Sequence, residues 1–287
     1  MRHRVIRPTD RPWTVQEDRP DGGKGFRRQT LIDDELGSVH MTVGWSSLDP
    51  GGEVGLHVHS YEESFYVTEG VVDALVAGRS QRFGVDDYGV VPVGTPHAFR
   101  APTDGARWLE VTAPQVRSHP LDTFAVPGAP DWHGVEAPDW ASPLRGPLGH
   151  FVESQLPPAS QLQMEGYSGG DVTGIRLKML IDRVLGAQHM NVFMVEFEPG
   201  GAGNSHDHPF EEAYVLLSGA ADALLEGESY VVGAGDVVWA GVGAVHGFFA
   251  RGQEPVRWIE VQAPQPPSQH AFRFARPWSH VEQAMPT

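Results

Sequence analysis

The sequence predicts an all-β protein built as two tandem β-barrels. Three observations carry that expectation. The chain repeats itself at a fixed offset, each copy is cut into short strand-forming runs, and no long helical period interrupts them. Residues 25–97 align with 174–246 at an offset of 149 without a gap. GFRRQTLIDDELGSVHMTV faces GIRLKMLIDRVLGAQHMNV, LDPGG faces FEPGG, and TEGVVDALVAG faces LSGAADALLEG. After one inserted residue, RWLEVTAPQ (107–115) faces RWIEVQAPQ (257–265).

The runs HMTVGWSSL, ESFYVTEG, VVDALVAG and RWLEVTA are rich in β-branched and aromatic residues, and PGG, EG, AG and VGTP punctuate them. Such residues favour a pleated, half-buried surface, and Gly and Pro supply the turns. A length of 287 residues suits two domains. The division expected is an N-terminal barrel over 1–120, a connecting strap over 121–165 rich in Pro, Gly and Trp, and a C-terminal barrel over 166–287. Trp132, His133 and Trp140 of the strap are expected to pack on the outside of a barrel. Helix is expected near the strap and the C-terminus.

Charge and composition narrow the function. The formal net charge is −16 with no basic cluster, which argues against nucleic acid and anionic membranes as partners. The absence of cysteine excludes disulfides, a thiolate nucleophile and Cys-ligated zinc. The N-terminus lacks a signal-peptide core, and no apolar run has the length of a membrane span. The expectation is a soluble cytoplasmic protein acting on a small molecule, with homo-oligomers left open.

The chemistry is concentrated in HVHSYEE (57–63) and HDHPFEE (206–212), each followed by a further histidine. On a strand, side chains two apart share a face, so His57 and His59 point together, as do His206 and His208. Glu63 and Glu212 open the next strand, and His97 and His246 return beside them. Three imidazoles and one carboxylate suit a borderline divalent ion. Two such ions per chain are therefore expected, with Fe or Mn favoured and Ni, Zn, Co or Cu admitted. Four protein ligands leave positions open for water, O2 or substrate.

With these residues in place, the sequence resembles a bicupin, a duplicated cupin barrel. The first cupin motif reads Gly51, His57, His59, Glu63, Gly70, and again Gly200, His206, His208, Glu212, Gly219. The second reads Pro92, Gly94, His97 in one copy and Gly235, Gly243, His246 in the other. Asp86, Arg100, Gly241 and Phe249 depart from it at turn and flank positions. The resemblance implies that each barrel is a jelly roll and that the two pack as a pseudo-dimer.

Parity gives the surroundings of the ligands. Phe65 and Val67 in the first copy, and Tyr214 and Leu216 in the second, share the ligand face. Phe65, Phe99 and Phe248 are expected to line substrate pockets. Either Met41, Val43 and Trp45 or Thr42 and Gly44 line one wall, and either Met190, Val192 and Met194 or Asn191 and Phe193 the other. Tyr214 can donate a proton where Phe65 cannot, which marks it as a catalytic candidate. Arg27, Arg176, Arg107 and Arg257 are expected in structural ion pairs with acids such as Asp33, Asp182, Glu110 or Glu260. His40 and His189 are expected as satisfied histidines or partners of a ligand. Glu62 and Glu211 point away from the metal, to solvent or to the interface between copies.

The function expected is that of a metal-dependent oxidoreductase, a dioxygenase cleaving a diphenol, enediol or diketone. The alternative is a non-oxidative isomerase, decarboxylase or hydrolase, and the third reading is a small-molecule binding protein without catalysis.

Overall fold

A computed structural model describes residues 2–16, 22–116, 122–142, 146–162, 171–266 and the strand 273–274. Two large antiparallel sheets account for most of it, one per copy of the repeat. In each, a long strand carries the ligand histidines: Thr42–His59 in the first and Asn191–Asp207 in the second. Each long strand bends enough to pair first with the last repeat strand (Ala106–Ala113 or Val256–Ala263) and then with the short strand opening at His97 or His246. A long strand that serves two partners is how the sheet curls into a barrel with the ligands inside.

Gly70 and Gly219, one per motif, lie at φ +71° and +70°. A Cβ at either would run into a backbone carbonyl, that of Gly105 or of Pro255. This explains why both copies end the strand after the ligand glutamate on glycine.

The two sheets exchange edges. His3–Ile6, which precedes the first copy, pairs with Val237–Ala240 of the second barrel. Leu148–His150, which precedes the second copy, pairs with Asp87–Gly89 of the first. Matching aspartates hold both arms: Arg7 bonds Asp236, and His150 Nδ1 lies 2.6 Å from Asp87.

Three apolar clusters result. One fills the first barrel around Phe65, Phe99 and Trp108. One lines the second around Tyr214, Phe248 and Trp258. The third, with Met41, Val43, Trp45, Met190, Val192 and Met194, draws on both copies and joins the barrels. So of the two faces left open by parity, the methionine-bearing one packs between barrels. Phe193, Val195 and Phe197 belong to the interior cluster of the second barrel. The resulting unit is a pseudo-dimer within one chain.

The interface also holds the two acids beside the ligands. Glu62 accepts the backbone N–H groups of Gln188, His189 and Met190 at 2.8, 3.0 and 3.2 Å. Glu211 accepts those of Val39 and His40 at 2.7 and 3.4 Å, and the Ser38 hydroxyl at 2.6 Å. Each barrel thus inserts a carboxylate into a turn of the other. His40 and His189 contribute backbone amides to these clamps.

The strap follows the first barrel. Thr123–Ala125 pairs with His57–His59, Glu136 bridges to Gln81, Trp132 lies under Arg100 at 4.7 Å, and Trp140 stacks on His150. The helix expected near it is reduced to two short 3-10 turns, Glu153–Gln155 and Ala159–Gln161. Prolines at 157 and 158 separate them and deny a longer run its backbone donors. The helix expected at the C-terminus falls largely outside the described residues. Among those described, no helix is long and apolar enough to cross a membrane.

Structural ion pairs do form, with other partners than expected. Arg27 binds Asp49 at 2.8 Å and Arg107 binds Glu69 at 3.2 Å, while Arg176 and Arg257 share Glu196. Asp33 instead meets Arg11, and Glu110 meets Arg28. Asp182 accepts the amides of Val184 and Leu185 in its own turn. The strand register, which sets these distances, is not written in the order of charges along the chain.

Candidate functional site

His57 and His59 end their long strand on one face, and a two-residue bend delivers Glu63 near the start of the next. His97 is the register partner of His57, as His246 is of His206. The turn before each last histidine is tied to the second one: Gly94 N–H donates to His59 O, and Gly243 N–H to His208 O. The turn survives in the second copy although Gly241 stands in place of Pro92. His57, His59, Glu63 and His97 therefore converge, as do His206, His208, Glu212 and His246. All eight are buried, and the candidate ligand atoms of each set lie within 4.8 Å of one another.

The hydrogen bonds fix the direction of every imidazole. Nδ1 of His57, His59 and His97 lies 2.7–2.8 Å from the carbonyls of Gly55, Tyr61 and Thr95. Nδ1 of His206, His208 and His246 lies 2.8–2.9 Å from those of Asn204, Phe210 and Ala244. A carbonyl only accepts, so each Nδ1–H donates to it, and each ring turns its Nε2 to the centre. There His59 Nε2 meets Glu63 Oε2 at 3.0 Å, and His208 and His246 Nε2 meet Glu212 Oε2 at 2.8 and 3.0 Å. Two lone pairs at that distance require a proton or a cation between them.

A proton on one ring does not satisfy the whole set. Burial, and then the neighbouring His246, push His206 down to about 3, so it stays neutral. Burial lowers His208 as well, but Glu212 outweighs it and raises that ring. Burial would raise Glu63 and Glu212, yet the histidines hold both carboxyls well below the usual range. Buried His97 Nε2 lacks a hydrogen-bond partner, with Glu63 Oε2 at 3.7 Å. One divalent cation satisfies three imidazole nitrogens and a carboxylate together. The donor sets fit a metal, and the chain carries two buried four-residue metal sites.

An aromatic ring backs the second histidine of each set, Tyr61 on His59 and Phe210 on His208, both at 3.9 Å and nearly parallel. Sequence reasoning passed over these residues. Their signal was the aromatic standing before both EE pairs.

The space beside the two centres differs. In the first barrel Phe65 packs edge-on against Phe83 and Phe99, and Trp108 meets Phe26 and Phe99. Phe65 and Phe99 belong to the apolar cluster of this barrel. In the second barrel Ile175 and Val232 stand where the first has Phe26 and Phe83, and Gly203 stands where it has Val54. A cavity of about 40 Å³ lies there, bounded by Gly203, His206, Glu212, Tyr214, Phe248 and Glu260, with aliphatic residues behind. Phe248 lies in its wall. Tyr214 lies there too, and its hydroxyl donates to Glu212 Oε2. Gln262 Nε2 donates to the other oxygen at 2.7 Å. Both orient a ligand carboxylate, a task for which the first copy has Phe65 and Thr112.

Comparison with known proteins agrees with this architecture. A cupin-domain model matches residues 44–112 and 193–262. An oxalate decarboxylase variant from Bacillus subtilis superposes with a TM-score of 0.66 at 19% identity, covering 98% of this chain and 83% of that one. The formate complex of the Lactobacillus farciminis oxalate decarboxylase gives 0.65 at 18%, covering 98% and 93%. A further Bacillus subtilis oxalate decarboxylase structure, concerned with its Mn(II) centres, gives 0.63 at 19%, covering 98% and 83%. At such identities the likeness speaks to the fold. No curated protein sequence matches this chain.

Proposed function

Because the chain belongs to the cupin family, as a bicupin with one cupin domain in each half, we propose that it is a metal-dependent enzyme of the non-oxidative kind. A decarboxylase is the preferred form, and the chemistry is assigned to the C-terminal barrel. The observation that carries this reading is the cavity of about 40 Å³ that reaches His206 and Glu212. In the first barrel Phe65, Phe83, Phe99 and Trp108 pack on one another instead.

The walls define the substrate class. A bound divalent ion supplies Lewis acidity to a chelating oxygen. With one carboxylate among its ligands, each centre then has a formal net charge of +1, which suits one anionic group. Among the described residues the cavity lining includes no Arg or Lys, so a second anionic group would meet no counter-charge from them. Leu177, Val195, Phe197 and Phe248 favour an apolar body. A small monocarboxylic acid or enolisable carbonyl compound fits these walls better than a compact dianion such as oxalate. Tyr214 and Gln262 hold Glu212 in place, and Glu260 adds an acidic group to an otherwise apolar wall. Acid–base groups of this kind suit proton transfer, which a decarboxylation or an isomerisation needs.

Gly203→Val tests the cavity, since it installs the Val54 side chain of the first barrel. A Cβ at Gly203 meets Phe197 at 3.5 Å, ordinary contact. The variant is expected to fold, to keep both metals by elemental analysis, and to lose at least about tenfold in kcat/KM, the order expected of one or two misplaced methyl groups. Undiminished turnover in that variant contradicts the placement of the substrate.

A further inference from the structure

We propose that Glu260 is the proton donor of the C-terminal cavity, acting on a carboxylic acid with an apolar body. The proposal rests on the reading that substrate occupies this cavity.

The two copies treat the same glutamate differently. In the first barrel Glu110 is a paired anion: Arg28 forms an ion pair with it, and the Ser46 hydroxyl donates to it at 2.5 Å. At the positions of Arg28 and Ser46 the second copy has Leu177 and Val195, and both line the cavity. Glu260 has thus exchanged a guanidinium and a hydroxyl for two aliphatic neighbours. It accepts instead from Trp258 Nε1 at 3.2 Å and Gln262 Nε2 at 3.4 Å. Gln262 also donates to Glu212 Oε1, so one side chain separates Glu260 from a metal ligand.

A carboxyl in such a place resists ionisation. Glu260 is half-buried in this wall, and desolvation there, then the charge of Glu212, raise its carboxyl well above the usual range. A divalent ion on Glu212 offsets the second cause and leaves the first. The other titratable groups among the described residues that line the cavity are His206, Glu212 and Tyr214. His206 is neutral, and Tyr214 already donates to Glu212. Glu260 is thereby the group with a proton to give, set in the same wall as the metal centre.

The step balances for a 3-oxo acid. Breaking the bond between the carboxyl carbon and C2 releases CO2 and leaves the electron pair on C2, as an enolate. The Glu260 proton passes to C2, giving the ketone and a Glu260 carboxylate, which solvent reprotonates. The net change is loss of CO2 and gain of one solvent proton, with no oxidant.

The probe is benzoylacetate with manganese-loaded protein, and the variants are Glu260→Gln and Leu177→Arg. Glu260→Gln keeps shape and hydrogen bonding but has no proton to transfer. Leu177→Arg restores the first-barrel arrangement. Infrared difference spectra are expected to show a protonated-carboxyl band in the wild type that shifts in D2O and is absent from both variants. Glu260→Gln is expected to keep both metals and to lose about 10²-fold or more in decarboxylation above the spontaneous rate. Persistence of the band in Glu260→Gln, or its absence from the wild type, overturns the proposal. So does wild-type turnover in Glu260→Gln, which leaves the cavity reading standing. A wild type that shows the band but no decarboxylation overturns the cavity reading, and the proposal with it.

Discussion

His206→Ala is expected to remove one of the two bound metal equivalents and to abolish turnover, while His57→Ala removes the other equivalent. Each histidine supplies one of three imidazole nitrogens in a buried set whose fourth member is a carboxylate. Losing a ligand outright should cost more than the 10–100-fold in affinity typical of an outer partner. It also leaves Glu63 or Glu212 buried beside two histidines without its counter-ion. A metal present at 100 times its dissociation constant contributes about 2.7 kcal/mol to stability. Each variant is therefore expected to unfold at a lower temperature, and added metal is expected to restore little of it. Elemental analysis and scanning calorimetry on the same preparations check this. Two equivalents retained in either variant contradict the assignment of that set.

Glu62→Ala is expected to cost about 3–5 kcal/mol, the range for breaking a buried charge network. Glu62 is 1% exposed and accepts three backbone donors from the other barrel. Truncation strands all three in an apolar interface, where an unmade hydrogen bond costs about 1–3 kcal/mol. Glu211→Ala should behave alike, because its carboxylate makes the reciprocal bonds. The two clamps secure one interface, so the double variant is expected to depart from additivity. Denaturant unfolding measures the effect, and a loss under about 1 kcal/mol in either single variant, within the range of ordinary surface substitutions, would remove the clamp from the account.

The ligand sets were legible because a duplicated chain shows its own constraints. HVHSYEE and HDHPFEE differ at three of seven positions yet keep both histidines and the paired acids. Strand parity placed those residues correctly, and it sent Glu62 away from the metal to the interface where it lies. Parity was silent about Met41, Val43 and Trp45 because both faces of that strand are buried, one in the barrel and one against its partner. A strand covered on both sides loses the alternation that marks an interior. Edge exchange by His3–Ile6 and Leu148–His150 was equally invisible, since such short arms pair with strands far along the chain. The open second barrel depends on several small replacements at once, among them Gly203 for Val54 and Ile175 for Phe26. Each reads on its own as ordinary core variation. The difference between Glu110 and Glu260 needed the register as well, because Arg28 and Ser46 come from two other strands.

These features converge on one claim, that the C-terminal centre performs non-oxidative chemistry on an acid bound in its cavity. The most direct measurement is parallel recording of CO2 release and dissolved oxygen during turnover of benzoylacetate by the manganese-loaded protein. The account predicts one CO2 per ketone formed, no net oxygen consumed, and one solvent-derived hydrogen at the carbon that lost CO2. One oxygen molecule consumed for each product, with oxygen atoms found in it, would contradict the account and restore the dioxygenase reading.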